Sequence, residues 1–518
     1  MSTQQRVILA TVLAAIFFIF YSHYFTPQQI DSVNATQQQA QSNEAPQVVT
    51  TTTNVAPVSS RSVDEIIAKV EAQDFEIYID KLGRISKYFL NGGDFKDENG
   101  ERIQLIDDSV LPLPLEVRFS DTLLNNEAFS KSYNADTQKI ILGDEPQTLT
   151  LTQELEGVTL TKKITFTSDK GYEVEISLSQ PKDYFISTGF RPNVMADGYT
   201  FHGAIIKKSD GSIETIEDGD IKKKALFSNA SFAAASDRYY TTLLANFDEK
   251  LNIVVSPAKD ENPNIFIEGR ENIKLIGYIG PKSKVNIHAV DKRLDDVIEY
   301  GFFTWISKPL FSFLYFIHSK VGNWGWSIVI ITIIIRLILY PLTYRGMVSM
   351  NKLKELAPKV KELQEKYKSD KQKLNVHVMD LYKKHGANPM GGCLPILIQI
   401  PIFFAIYKML FNTIELKNAE WIFWVQDLAV RDPYFILPIA MGLTMFLQQK
   451  MTPTTFTDPM QEKIMKFLPL IFTVFFLWFP AGLTLYWFVN NLFSIFQQMY
   501  VNKHFKRLKE KEKEKAQQ

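Results

Sequence analysis

The sequence predicts a membrane protein in two parts: a helical bundle with six membrane spans, and a large antiparallel β-sandwich outside the membrane. Charge supports this division, since residues 1–300 carry 30 basic and 43 acidic side chains whereas residues 301–518 carry 27 and 14. Short alternating segments dominate the first part and long apolar runs the second. The zero net charge therefore hides an acidic domain and a basic membrane region, and gives no indication of nucleic-acid binding as the main task.

The N-terminus begins with an apolar run that follows one positive charge at Arg6. No small-x-small cleavage site follows the run, so residues 1–25 are predicted to form an uncleaved signal anchor, with a cleaved signal peptide as the alternative. Residues 26–62 consist largely of Gln, Ser, Thr, Ala and Pro. Such a segment has little to bury, which predicts a flexible tether.

The β domain is predicted over residues 63–290. Residues 75–90, 148–167 and 172–180 alternate apolar with polar side chains and are bounded by Gly, Asn, Asp and Pro, as half-buried antiparallel strands are. The single cysteine, Cys393, excludes an intramolecular disulfide. This domain must therefore be stabilised by its own apolar core.

Residues 291–320 are predicted to form an amphipathic helix along the membrane surface, with a membrane span as the alternative. Lys308 and Pro309 interrupt the apolar part of this segment, and charges separate the apolar positions of its first half. The apolar positions at helical spacing are Leu294, Val297, Ile298, Phe302, Trp305 and Ile306.

Five apolar runs follow, and with the anchor they predict six spans. A span needs about 20 apolar residues, which the first two runs supply and the last three do not. The second span is predicted within 321–344 and the third to sixth within 389–500. Pro480 and Gly482 break the last stretch into a tight hairpin of two short spans. Short spans predict local thinning of the bilayer.

The distribution of basic residues predicts the orientation. Residues 345–388 carry Arg345 and ten lysines against five acids, and the tail at 501–518 is also basic, whereas the loop at 412–433 has only Lys417 and Arg431. The positive-inside rule then places both basic segments and both termini in the cytoplasm, and the β domain outside.

The basic loop at 345–388 is predicted to form a helical hairpin, because its apolar residues recur at near-heptad spacing. These residues are Met350, Leu353, Leu356, Val360, Leu363 and Tyr367, followed by Leu374, Val378 and Leu381. The tail at 501–518 could contact ribosomal RNA or anionic lipid, and a simple topogenic charge cluster explains it equally well.

Arg336 lies deep inside the second span, where an arginine costs ~2.5–3.5 kcal/mol on insertion scales. A buried pair with a carboxylate would be the ordinary explanation, but the apolar runs contain no Asp or Glu. The sequence therefore predicts a water-filled cavity that is open to one side, in which the charge is available to a transient binding partner.

Other polar residues of the spans could line the same cavity, although helix packing explains each of them alone at least as well. Thr332 lies one turn before Arg336 and so on the same helix face. The others are Gln399, Thr444, Gln448, Thr473, Thr484 and Asn490.

Three strings carry a family resemblance: GGCLPILIQIPIFFAIYKML (391–410), TMFLQQKMTPTTFTDPMQEKIMKFLP (444–469) and FTVFFLWFPAGLTLYWFVNNL (472–492). They resemble the corresponding spans of the YidC/Oxa/Alb family of membrane protein insertases, and Arg336 falls where that family has its groove arginine. The resemblance covers essentially all of residues 320–500. The anchor, tether and outer domain match the Gram-negative type of the family more loosely.

The resemblance implies a protein of the bacterial inner membrane that inserts nascent membrane proteins, alone or beside the Sec translocon, without enzymatic turnover. It implies no cofactor and no small-molecule substrate. The polar groove would open to the cytoplasm and the lipid and be closed on the outer side. The periplasmic domain would resemble the supersandwich of sugar mutarotases, and the cytoplasmic hairpin would be mobile.

The resemblance also implies which residues line the groove. Tyr486 and Trp487 occupy the aromatic pair of the sixth span, and Trp487 departs from the tyrosine that relatives often have, which puts the role of that hydroxyl in doubt. The remaining groove residues implied by the resemblance are Thr332 and Arg336 of the second span, Ile400 and Phe403 of the third, and Phe475 and Trp478 of the fifth. Gln399 is added to the predicted groove as a polar residue of the third span.

Two other functions compete with insertion. A secondary transporter also carries polar residues inside a bundle, but this sequence has no intramembrane carboxylate for ion coupling and no visible inverted repeat. A periplasmic sugar-active enzyme would need acid and base groups, whereas residues 63–300 contain only His202 and His288, without a recognisable motif around either.

Overall fold

The computed structural model describes residues 65–92, 101–192, 194, 200–258, 260–368, 370–387, 394–451 and 459–517. The predicted anchor at 1–25 and tether at 26–62 lie outside the described residues. The described chain divides into two compact units, each considered by itself: a β unit that ends at Glu299 and a helical unit that begins at Tyr300.

The smaller sheet of the β unit has the strand order β4-β3-β2-β1-β7 and is antiparallel except where β7 joins β1. Gly83 makes the turn between β2 and β3 with φ +63°, in a space where a Cβ would lie 3.2–3.3 Å from neighbouring side chains. The strands are β1 (Ile66–Glu71), β2 (Phe75–Asp80), β3 (Ile85–Leu90), β4 (Gln104–Ile106) and β7 (Lys139–Ile141).

The larger sheet follows the order β5-β11-β17-β16-β14-β15-β18-β10-β9-β8-β6, with β12 beside β14 and β13 beside β12. Alternate residues of β8 and β9 are buried, which is the predicted pattern of a half-buried strand. The strands are β5 (Val117–Phe119), β6 (Asn134–Ala135), β8 (Gln147–Leu155), β9 (Val158–Phe166), β10 (Gly171–Leu178), β11 (Tyr184–Ser187), β12 (Gly203–Lys208), β13 (Ile213–Glu217), β14 (Ala225–Ser236), β15 (Tyr240–Ala245), β16 (Leu251–Pro257), β17 (Pro263–Gly269) and β18 (Ile273–Pro281).

The segment predicted as one amphipathic helix at 291–320 is divided between the two units. Helix α1 (Thr122–Ser130) lies earlier in the β unit, and α2 (Lys284–Val290) is followed by a 3₁₀-helix, Lys292–Val297. Leu294 and Val297 of that 3₁₀-helix are buried in the core of the β unit. The prediction of one helix from the apolar periodicity was therefore wrong. The first apolar positions belong to the core of the β unit, and a separate helix begins at Thr304.

Four charged side chains are buried where the two sheets meet. Arg84 donates through Nε to Asp80 Oδ2 at 2.8 Å and through Nη1 to Glu116 Oε2 at 2.9 Å. Lys162 of β9 donates to the carbonyl oxygens of Gly83 and Leu115 at 3.0 and 2.8 Å. Burial lowers the pKa of Lys162 to about 7, although the carboxylate of Asp80 opposes this effect.

The helical unit contains, among its described residues, α3 (Thr304–Val321), α4 (Trp324–Ile338), α5 (Tyr340–Lys366), α6 (Lys371–Lys384), α7 (Leu394–Asn412), α8 (Ile436–Met451), α9 (Pro459–Phe476) and α10 (Ala481–Gln517). Phe302 and Trp305 are exposed at the start of this unit, by 81% and 72%. The break between α9 and α10 falls at the predicted Pro480–Gly482 turn. Helix α10 continues without a break through the residues predicted as a separate tail.

Helices α4 and α5 meet at an angle of 64°. Pro341 at the start of α5 has no N–H to donate. In a continued helix its ring would clash with the carbonyl group four residues before it, so α4 ends here. Of the helices that the structure describes, none alone has the length and apolar composition for a bilayer span; α4 and α5 meet both requirements as a bent pair.

The far ends of α5 and α10 pack together beyond the bend. Helix α6 folds back on α5 around Leu353 and Leu356. Asn351 of α5 donates to Asn502 of α10 at 2.9 Å. An ion pair between Glu355 and Lys509 extends the contact. The predicted hairpin and the C-terminal residues therefore form one assembly.

A loop closes the opposite end of the helical unit. The N–H groups of Ala481 and Gly482 donate to the carbonyl oxygens of Val430 and Leu428 at 2.7 and 2.9 Å. Asn323, which caps α4, donates through Nδ2 to the carbonyl oxygen of Glu420 at 3.0 Å. These bonds connect the N-terminal ends of α4 and α10 to the loop between α7 and α8.

Lys162 should make the stability of the β unit depend on pH. Its folded pKa of about 7 lies below the ordinary lysine value of 10.5, so the unfolded chain binds more protons between these values and stability rises with pH across that window. From pH 7 to pH 9 the free energy of unfolding should rise by about 2 kcal/mol more in the native chain than in Lys162→Met.

Urea-dependent pulse proteolysis of the β unit in the detergent-solubilised full chain measures this difference. Lys163→Met is the matched control, because Lys163 is the adjacent residue of β9 and is exposed. Equal pH slopes for native protein and Lys162→Met would show that Lys162 is charged in the folded state throughout the window.

Candidate functional site

The site is built around Arg336, near the end of α4. Its side chain is only 8% exposed, and Nε donates to Asn490 Oδ1 of α10 at 2.6 Å. Gln497, two turns further along α10, donates to the main-chain carbonyl oxygen of Arg336 at 3.4 Å. This carbonyl belongs to the last turn of α4, whose carbonyl groups lack partners within the helix. Helix α10 therefore holds both the side chain and the backbone of Arg336.

A second polar contact joins α7 to α10. Gln399 Nε2 donates to the hydroxyl oxygen of Tyr486 at 3.2 Å, and Tyr486 is fully buried. Tyr486 and Asn490 are four residues apart, so they lie on the same face of α10. The polar groups of Arg336, Asn490, Tyr486 and Gln399 thus form one row across three helices.

The predicted threonines satisfy their hydroxyl groups within their own helices. Thr332 is buried one turn before Arg336 and donates to the carbonyl oxygen of Ile328 at 2.6 Å. The same bond to a residue three or four positions earlier is made by Thr444, Thr473 and Thr484. Among the described residues, none of these hydroxyl groups bonds to the Arg336 side chain.

Trp487 forms the apolar side of the site. Its ring meets Phe403 of α7 edge-on, with centroids 4.6 Å apart, and lies 5.7 Å from the ring of Phe476 in α9. Its indole Nε1 is buried and has no hydrogen-bond partner among the described residues. Tryptophan at this position therefore joins three helices by ring contacts and leaves one donor unused.

Three predicted groove residues lie on exposed surface of the helical unit. Ile400 and Phe475 are partly exposed, and Trp478 is 65% exposed. Phe475 packs on Phe479, with ring centroids 4.8 Å apart. These three side chains make no described contact with Arg336.

Sequence reasoning did not identify two residues that shape this site. Gln497 could have been identified from its spacing, because it lies seven residues after Asn490 and so on the same face of the helix. Pro341 could have been identified as the cause of a bend after Arg336, because the residue before a proline is disfavoured in the helical conformation. In the described part of the chain, no group of His, Cys, Asp and Glu side chains is arranged to hold a metal ion.

Two family models match consecutive parts of the chain. The model described as the YidC periplasmic domain matches residues 69–313, and the model described as the 60Kd inner membrane protein matches residues 316–510. Together they define a class of inner-membrane proteins with a periplasmic domain, and a large antiparallel β-sandwich followed by helices is the architecture described above.

Relatives identify the family within this class. A membrane protein insertase YidC of Campylobacter jejuni is 51% identical over 97% of this chain and 96% of its own length. The YidC insertase of Helicobacter pylori strain 26695 is 44% identical over 96% of each chain. A solved YidC insertase structure aligns with 84% of this chain and 94% of its own at 19% identity, with a TM-score of 0.36, too low for a structural argument.

The chain belongs to the YidC family of membrane protein insertases. This finding confirms the resemblance inferred from the strings of residues 391–492. Membership of a family of insertases favours insertion over the transporter and the sugar-active enzyme that the sequence left as alternatives.

The contact between Gln399 and Tyr486 predicts a double-mutant signature. Tyr486→Phe should lower the free energy of unfolding by about 1 kcal/mol, because the half-buried amide of Gln399 loses its acceptor. Combining it with Gln399→Leu should recover part of the loss, because both polar partners are then replaced by apolar groups. Thermal unfolding in detergent measures both variants, and strictly additive losses would contradict the contact.

Proposed function

We propose that this protein inserts nascent membrane proteins into the bacterial inner membrane through a polar groove centred on Arg336. The groove is bounded by α4, α7, α9 and α10 and lined by Thr332, Gln399, Tyr486 and Trp487. Ile400, Phe403, Phe475 and Trp478 offer apolar contacts to a passing client helix. The groove opens to the cytoplasm and the lipid, and the loop between α7 and α8 closes its outer end.

One observation carries this proposal: a buried arginine whose described side-chain partner is a neutral amide. Arg336 donates to Asn490, and no carboxylate among the described residues lies within ion-pair distance of its guanidinium. A charge that stays uncompensated in an apolar bundle is costly, and in membrane proteins such charges face water-filled cavities or substrate pathways. The positive charge of Arg336 is therefore available to a client.

The chemistry of this site favours an acidic client segment. In an environment of low dielectric constant, the attraction between a guanidinium and a carboxylate is stronger than in bulk water. A client with an acidic residue in its short outer tail would be drawn into the groove before the tail crosses. The planar guanidinium can also bind such a carboxylate through two parallel hydrogen bonds.

We further propose six spans with both termini in the cytoplasm. This topology combines the anchor at 1–25, the bent α4–α5 pair, and four spans within 389–500. The hairpin at Pro480–Gly482 joins two short spans, which would thin the bilayer beside the groove and lower the cost of moving polar segments across. Basic residues at 345–388 and 501–518 support this orientation.

The same orientation suggests where partners act. Larger clients would arrive through the Sec translocon, and small clients would be inserted by this protein alone. The basic C-terminal residues at 501–518 are available to ribosomal RNA or to anionic lipid. The periplasmic β unit serves as a scaffold for partner docking, because the groove is confined to the helical unit.

Changing Arg336 should discriminate among clients. Arg336→Ala should slow insertion of a single-span test protein with an aspartate-bearing outer tail several-fold, because the tail loses its attracting charge. Arg336→Lys should largely support insertion, since the positive charge remains. A twin client with asparagine in the tail should depend less on Arg336. Insertion assays at equal insertase abundance measure these rates.

Equal slowing of both clients by Arg336→Ala would refute charge attraction. Arg336 would then act only by hydrating the groove.

Deleting most of residues 63–290 should leave insertion intact. The deleted region lies within a compact unit that does not contain the Arg336 row. The assay is the same pair of clients in membranes that contain only the truncated protein. Loss of insertion despite normal abundance of that protein would assign the β unit an obligatory role.

A further inference from the structure

We propose that Asn490 is a positioning residue for Arg336, which selects the edge of the guanidinium that a client carboxylate can bind. This inference rests on the proposed function and adds a geometric requirement to it. For an arginine at this position, the orientation of the planar guanidinium then adds to the attraction of its charge and determines how well an acidic tail is held.

The hydrogen bond itself is the first step of the argument. A guanidinium has two edges suited to a carboxylate: one formed by Nε with an Nη, and one formed by both Nη atoms. Asn490 Oδ1 accepts from Arg336 Nε at 2.6 Å, which occupies the first edge. Within the described residues, neither Nη atom has a hydrogen-bond partner, so the second edge is left for a ligand.

The surroundings of Asn490 make it a rigid support. Asn490 is buried, and its main-chain carbonyl oxygen accepts from Ser494 Oγ at 2.8 Å. Gln497, seven residues further along α10, holds the main-chain carbonyl oxygen of Arg336. Helix α10 therefore restrains the arginine at Nε and at its main-chain carbonyl oxygen, which reduces the conformational freedom that is lost when a carboxylate binds.

Lysine at position 336 would not need this support. A single ammonium group has no separate Nε and no fork to orient, so its attraction for a carboxylate depends on charge alone. The effect of Asn490 should consequently exist in the Arg336 protein and vanish when lysine replaces the arginine. A residue that merely packs α4 against α10 would show the same effect in both backgrounds.

The test is a double-mutant cycle in the full chain, with the aspartate-tailed and asparagine-tailed clients as probes. Asn490→Ala should slow the aspartate client about twofold, less than Arg336→Ala does, and the asparagine client hardly at all, because the charge remains but its orientation is lost. In the Arg336→Lys background, Asn490→Ala should change neither client. Asn491→Ala is the matched control: Asn491 is the adjacent residue, is equally buried at 5%, and has no described bond to Arg336.

Asn490→Asp keeps the shape of the side chain and carries the test if the alanine variant folds poorly. Aspartate would pair with Arg336 and neutralise it, so insertion of the aspartate client should fall to the Arg336→Ala level while the asparagine client is retained. Melting temperatures of all variants identify general loss of stability. Unchanged client selectivity in Asn490→Asp would overturn the proposal, as would equal effects of Asn490→Ala in the arginine and lysine backgrounds.

The charge attraction of Arg336 and the positioning role of Asn490 can be refuted separately. If Arg336→Ala slows both clients equally, charge attraction itself is wrong, and the positioning role falls with it. If Arg336→Ala discriminates between clients but Asn490→Ala does not, only the positioning role is overturned.

Discussion

The burial of Arg336 inside an apolar helical bundle is the constraint that organises the site, and the hydrogen bond from Arg336 to Asn490 meets it. An arginine inside an apolar bundle must be solvated, and within the described residues an amide oxygen on a neighbouring helix supplies the hydrogen bond without cancelling the charge. The bond joins α4 to α10 at the level of Arg336. Gln497 repeats the constraint at the main-chain carbonyl oxygen of the same residue, so α4 is held where it bends.

Helix α10 connects this site with the rest of the unit. It contacts α4, α5, α7 and α8, and its polar face continues from Tyr486 and Asn490 to Gln497. Beyond the bend it meets α5 through Asn502 and Lys509. One continuous helix therefore contacts both the Arg336 row and the basic hairpin. The residues predicted as a basic tail are part of this helix and contribute contacts to the fold.

Sequence patterns predicted the elements that local chemistry determines. The alternation at 148–167 became β8 and β9, because a half-buried sheet imposes a period of two. The Pro480–Gly482 break ended a helix where proline cannot continue it.

Contacts between distant segments were not available from such patterns. The partner of Arg336 lies 154 positions away, and several polar residues of the spans were equally plausible candidates. At 291–320, one apolar period continued across the boundary between two units, so periodicity alone could not reveal that Leu294 packs on a sheet while Trp305 is exposed. The cost of a charge within an apolar run identified Arg336, and the family resemblance agreed with it, but identifying the amide that holds the arginine required coordinates.

Two of the buried arginines, Arg84 and Arg336, illustrate opposite uses of the same side chain. Arg84 of the β unit is 1% exposed and donates to the carboxylates of Asp80 and Glu116, so its charge is compensated within the fold. Removing either partner of such a cluster leaves a buried charge and is strongly destabilising, which makes the cluster a structural joint between sheets. Arg336 is buried almost as deeply, yet its described side-chain partner is neutral. Among the described residues of the helical unit, no carboxylate pairs with Arg336, in contrast to the arrangement around Arg84. The proposed client site requires such an arginine, because its positive charge is not cancelled by the described residues around it.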